Sequence, residues 1–97
     1  PVVELHAGAY ADAWAEGRWA DRDAELKRLI AAASFGHGLG LEIHVGHGLT
    51  YESVGPIAAL REVRELNIGH FIIGEAIFCG LDGAIKEMRR RMDEARA

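Results

Sequence analysis

Three short apolar runs, each leading into a histidine within two residues of a glycine, constrain this chain more than any other feature. They are Val2-Val3-Glu4-Leu5-His6 before Ala7-Gly8, Leu41-Glu42-Ile43-His44-Val45 before Gly46-His47-Gly48, and Glu65-Leu66-Asn67-Ile68 before Gly69-His70. Runs of this length, β-branched or alternating apolar with polar, read as strands. Between the first two lie Leu26, Leu29, Ile30 and Ala33, at i, i+3, i+4 and i+7, which form one face of a helix. Asp21 or Asp23 suits its start, where free N–H groups and the helix dipole favour a carboxylate. Gly36, Gly38 and Gly40 suit its end. Ala9 to Ala20 is only weakly periodic and reads as a loop with at most a helical turn. After the second run, Thr50 or Ser53 suits the cap of a short helix through Ile57-Ala58-Ala59-Leu60, with Pro56 in its first turn. Phe71 to Cys79 either continues the third strand or starts a small helix, because periodicity does not separate the two in a short apolar run. Leu81, Ile85, Met88 and Met92 share one face of a last helix. Arg89, Arg90, Arg91 and Arg96 lie late in it, where positive charge complements the dipole.

The order β, α, β, α, β, α predicts an α/β fold with a parallel sheet and helical crossovers. No Gly-x-Gly-x-x-Gly fingerprint follows the first strand, so a dinucleotide fold has little support. Three strands do not close a barrel by themselves. With 97 residues the chain is at most one small domain with a marginal core. A formal net charge of −4 argues against general nucleic-acid binding, which needs clustered Lys and Arg. Cys79 is the only cysteine, which rules out a disulfide within the chain and makes a reducing cytoplasm the natural compartment. It reads as a buried small hydrophobe. The longest apolar run, Phe71 to Phe78, is broken by Gly74 and Glu75 and falls short of a membrane span. The chain opens on a strand, without an initiator Met or a signal peptide, so the expectation is a piece of a longer protein.

In a parallel β/α arrangement the chemistry sits at the C-terminal ends of the strands. Three such ends bring His6, His47 and His70 to one rim. Glycine beside them lets the backbone approach a ligand and aim N–H groups at an anion. Gly69-His70, leading into Phe71-Ile72-Ile73-Gly74, fits a phosphate site made by a strand's loop and the start of a short helix. Plainer readings stand beside these. A histidine after a strand is ordinarily a hydrogen-bonded loop residue, and paired glycines are ordinarily turns. Glu4 sits inside an apolar strand, where a carboxylate is costly unless it faces a partner or a polar cavity. His44 and His47 do not share a face in strand-to-loop geometry, and nothing completes a ligand set, so no metal site is expected. Trp14 and Trp19 are expected to cover a core or a subunit contact, and Arg89 to Arg91 to be a solvated helix end.

These residues, taken together and in order, resemble the C-terminal part of the pyridoxine 5′-phosphate synthase family. The resemblance is carried by Glu4-Leu5-His6-Ala7-Gly8-Ala9-Tyr10-Ala11, by Gly46-His47-Gly48-Leu49-Thr50-Tyr51, by Glu65-Leu66-Asn67-Ile68-Gly69-His70, by Ile72-Ile73-Gly74 and by the ending from Ile85 to Arg96. It spans essentially the whole chain. It implies a TIM barrel, with residues 1–97 as its last three βα units and a short extra helix after the last strand. It also implies a ring-closing condensation of 1-deoxy-D-xylulose 5-phosphate with 3-amino-2-oxopropyl phosphate, giving pyridoxine 5′-phosphate, phosphate and water. No metal or organic cofactor is implied. A cytoplasmic homo-oligomer, typically an octamer, is. Residue by residue, His47 matches the proton donor, Glu4 the glutamate that stabilises a transition state, and Gly48, Gly69 and His70 the positions that hold the aminoketone phosphate. His44 stands where a relative has Asn, Ala7 and Ala9 replace more polar residues, and the segment around Ala15 to Trp19 is longer. The family's proton-accepting histidine and glutamate, and its pentulose phosphate site, belong to earlier strands. The expectation is that this piece alone is inactive.

Two other readings are kept. One is a different phosphate-binding barrel, an isomerase or an aldolase. A Schiff-base aldolase needs a strand-borne lysine, and Lys27 and Lys86 both fall on predicted helices. The other is a non-catalytic oligomerising fragment.

Overall fold

A computed structural model describes residues 1–96. The elements run β1 (Val2–His6), α1 (Gly8–Glu16), α2 (Trp19–Gly38), β2 (Glu42–Gly46), α3 (Val54–Ala58), β3 (Val63–Asn67), α4 (Gly69–Cys79) and α5 (Leu81–Arg96). The three strands form one parallel sheet in the order β1-β2-β3. Glu4 lies opposite His44, which lies opposite Glu65; His6 lies opposite Gly46, which lies opposite Asn67. A register irregularity at Ile43/His44 sets this second alignment.

Alternation divides the sheet into two chemically different faces. Ile43, Val45 and Val63 are buried with Ala7, Tyr10, Leu29, Ala33, Leu49 and Ile57, and Val3, Leu5 and Leu66 pack against them. Full burial of each large side chain here stabilises by about 1.5–3 kcal/mol. The other face carries Glu4, His6, Glu42, His44, Gly46, Glu65 and Asn67. There His44 Nε2 meets Glu42 Oε2 at 2.6 Å and its Nδ1 lies 3.3 Å from Glu65 Oε2.

Several expectations are corrected. The Ala-rich stretch is helix α1, not a loop, and it buries Gly8, Tyr10, Ala11 and Ala13. Small residues on nearly every side blur the period, and packing on the core decides the outcome. α2 starts at Trp19 with no side-chain cap from Asp21 or Asp23; Asp21 instead meets Arg18 at 2.7 Å. Gly36 lies inside α2 rather than ending it: a Cβ there would come within 2.7 Å of Ile43 Cδ1, so glycine lets the helix press on the sheet. Ser53 precedes α3 but makes no side-chain cap. Its Oγ instead accepts from Thr50 N–H at 2.9 Å.

Phe71 to Cys79 is resolved as helix α4, and Cys79 is exposed rather than buried. α5 packs through Ala84 and Met88, which leaves Leu81 and Ile85 half exposed. Trp14 packs on the core, but Trp19 is half exposed, edge-on to Trp14. Arg89 and Arg90 are solvated, whereas Arg96 donates to the carbonyls of Ala58, Leu60 and Val63 and clamps α5 to the α3–β3 connection. No described helix is long and apolar enough to cross a membrane.

Candidate active site

The C-terminal ends of the three strands open on one cavity of about 630 Å³. Glu4, His6, His47, Gly48, Asn67, Gly69 and His70 all line it, with Leu49, Thr50, Ile68 and Phe71. That volume lies within the range of small-molecule sites. All five residues expected to form the site, His47, Glu4, Gly48, Gly69 and His70, are therefore brought together.

Each is placed by a local cause. Glu4 lies on the helix-free face of β1, and its Oε1 accepts from Asn67 Nδ2. His47 follows β2 directly and adopts φ of 79°, the left-handed region that a non-glycine residue occupies at a cost of order 1–3 kcal/mol. The next residue, Gly48, has φ of 85°, and a Cβ on it would lie 2.9 Å from Ala11 Cβ. Only glycine fits there. The loop beyond is pinned from α1, because the buried Tyr10 hydroxyl donates to the Ser53 carbonyl at 2.7 Å. Burial raises the Tyr10 phenol above its ordinary pKa, which keeps that proton in place.

Gly69 and His70 are the first two residues of the eleven-residue α4, and Ile68 before them supplies no side-chain cap. The first-turn N–H groups are thus left without intrahelical acceptors beside the cavity. α4 is steadied at this end by Tyr51, whose ring meets Phe71 edge-on at 4.7 Å and whose hydroxyl donates to the Ala84 carbonyl at 3.3 Å.

Two further residues belong to this mouth. The sequence alone does not mark Asn67 as a site residue. Its register, opposite Gly46 and hence in line with His6, is the signal that would have found it. His6 lies on the rim as its strand end predicts, and its ring stacks on that of His47 with centroids 4.3 Å apart. His44 does not join His47. It is taken up by Glu42 and Glu65 on the sheet face. Among the described residues no group of three His, Cys, Asp or Glu side chains is arranged to hold a metal ion.

Comparison with known proteins gives a consistent answer. The chain is 70% identical over 96 residues to the pyridoxine 5′-phosphate synthase of Roseobacter denitrificans, covering 99% of this chain and 39% of that protein. It is 68% identical over 96 residues to the one from Jannaschia sp., with the same coverages. To the one from Zymomonas mobilis it is 58% identical over 97 residues, covering all of this chain and 36% of that protein. The chain thus spans somewhat over a third of the length of these curated relatives. The family model described as pyridoxal phosphate biosynthesis protein PdxJ matches residues 1–94, and the chain belongs to that family.

Proposed function

We propose that this chain forms the aminoketone-phosphate side of a pyridoxine 5′-phosphate synthase active site, within the last three βα units of a TIM barrel. The observation that carries the reading is the convergence of Glu4, His47, Gly48, Gly69 and His70 on one cavity. The barrel is supported by the sequential parallel order of the strands and by the polar, helix-free face of the sheet, which would become the inner wall. Earlier strands would supply the remaining wall, the proton acceptors and the pentulose phosphate site.

The chemistry follows from the groups present. An amine adding to a ketone carbonyl, followed by loss of water, needs a proton delivered to the departing oxygen. An imidazole is suited to that near neutral pH, and His47 is the proton donor in this reading. Glu4, held by Asn67, stabilises the positive charge that develops on the nitrogen as the imine forms. The N–H groups of Gly69 and His70, at the start of α4, bind the phosphate of 3-amino-2-oxopropyl phosphate, and Gly48 lets the ligand approach the backbone. The other substrate is 1-deoxy-D-xylulose 5-phosphate, and the products are pyridoxine 5′-phosphate, phosphate and water. The chemistry of these groups calls on no metal or organic cofactor. A cytoplasmic homo-oligomer, an octamer by family resemblance, completes the reading.

The test is the His47→Asn variant of the full-length protein, assayed for pyridoxine 5′-phosphate formation. Turnover should fall by about a hundredfold or more, with binding of the aminoketone phosphate largely kept. Unchanged turnover would remove His47 from the mechanism.

A further inference from the structure

We propose that His6 is a positioning residue for His47: its imidazole stacks on the His47 ring and holds that ring facing the cavity. The inference rests on the reading of His47 as proton donor. Among the described residues the His47 ring has no hydrogen-bond partner, and what orients it within this chain is packing. The packing partner is His6, with ring centroids 4.3 Å apart and planes inclined by 25°.

His6 is itself held at two points, and the residue after it at a third. The Gly8 N–H donates to its Nδ1 at 3.3 Å, which sets the ring's rotation and makes Nε2 the proton-bearing nitrogen of the neutral ring. The Arg28 guanidinium, reaching over from α2, donates to the His6 carbonyl at 3.0 Å. The next residue, Ala7, donates its N–H to the Gly46 carbonyl at 2.8 Å, so the end of β1 is tied to the strand that carries His47. A ring held by a hydrogen bond therefore faces one that, among the described residues, has none.

Gly8 completes the device. A Cβ on it would lie 2.6 Å from His6 Cε1 and 2.9 Å from His47 Cδ2. Any other residue there would wedge into the pair and push the rings apart. The sequence His6-Ala7-Gly8, opposite Gly46-His47, thus builds a stacked pair from two adjacent strand ends. A donor misplaced by an ångström costs about a hundredfold in rate even when binding is intact, which is the scale of effect at stake.

The experiment uses the full-length protein with His6→Ala, His6→Gln, His6→Phe and Gly8→Ala, beside His47→Asn. Steady-state kcat and KM for both phosphorylated substrates are measured, with thermal midpoints. His6→Ala, His6→Gln and Gly8→Ala should each lose about ten- to a hundredfold in kcat with KM changed less than about threefold. His6→Phe keeps a stacking ring and should recover most of the loss. In protein labelled with 13C-histidine, the ring-current shift of the His47 protons should vanish in His6→Ala and persist in His6→Phe, whatever the activity. The proposal is overturned if His6→Ala keeps the wild-type kcat, or if Gln restores turnover and Phe does not. If His47→Asn itself remains active, the underlying reading of His47 fails, a result distinct from a failure confined to His6.

Discussion

Asn67 reaches Glu4 across the full width of an intervening strand. β1 and β3 do not pair with each other; each pairs with β2, so the two residues are separated by two strand spacings, roughly 9.6 Å. Their side chains meet over Gly46, where a Cβ would lie 3.0 Å from Glu4 Oε1 and 3.1 Å from Asn67 Cβ. A hydrogen bond to a charged group contributes about 1.5–3 kcal/mol. Asn67→Ala in the full-length protein should therefore lower kcat by about ten- to a hundredfold. Asn67→Asp, which sets carboxylate against carboxylate, should do worse at neutral pH. Wild-type kinetics for Asn67→Ala would show that Glu4 needs no such support.

The loop that carries His47 is anchored from beneath. Tyr10→Phe removes the side-chain hydrogen bond to the buried Ser53 carbonyl and should cost about 1–3 kcal/mol. The urea midpoint of the full-length protein reports this, with an unchanged slope. A midpoint equal to that of wild type would mean that water replaces the phenol.

Much of this was legible in the residues, and the failures share a cause. The strands could be read because β-branched runs and histidine–glycine ends are local signals. The strand ends and the carboxylate inside an apolar strand made His47 and Glu4 candidates, and only the family resemblance attached roles to them. α1 could not be read because Ala9, Ala11, Ala13 and Ala15 give no contrast between faces, and the packing of Tyr10 determines the helix. The apolar face of α5 is only partly legible: Met88 is buried as expected, but Leu81 and Ile85 look like core and are half exposed, while the small Ala84 is buried beside Met88. Asn67 escaped notice because its partner lies 63 residues away and two strands over. Such a pairing exists only once register is known.

Arg96 should prove more important than its place near the end of α5 suggests. Its guanidinium serves three backbone carbonyls at once, a geometry that an ammonium group cannot copy. Arg96→Lys should recover little of the stability lost in Arg96→Ala, about 1–3 kcal/mol. Full rescue by lysine in thermal melts would show that charge alone matters.

Acid should loosen the same helix. Hydrogen bonds from Arg90 and Arg91 lower the Glu87 carboxyl from its usual 4.5 to about 2. A depressed folded-state pKa adds stability that is complete above about pH 4.5 and disappears as pH falls towards 2. The melting difference between wild type and Glu87→Gln should follow that course. It will be small, because exposed pairs are weakened by solvent and salt. A difference independent of pH would point to shape rather than charge.

α4 begins with the two residues proposed to cradle a phosphate, yet it buries none of its own side chains, and Ile77 and Phe78 are 80% and 86% exposed. Its stance depends on little more than the Tyr51 ring and the flank of α5. The proposed phosphate cradle at Gly69 and His70 therefore stands on a helix whose back is open, so that a change at Ile77 or Phe78 would be felt in front, at the pocket, through the tilt of α4.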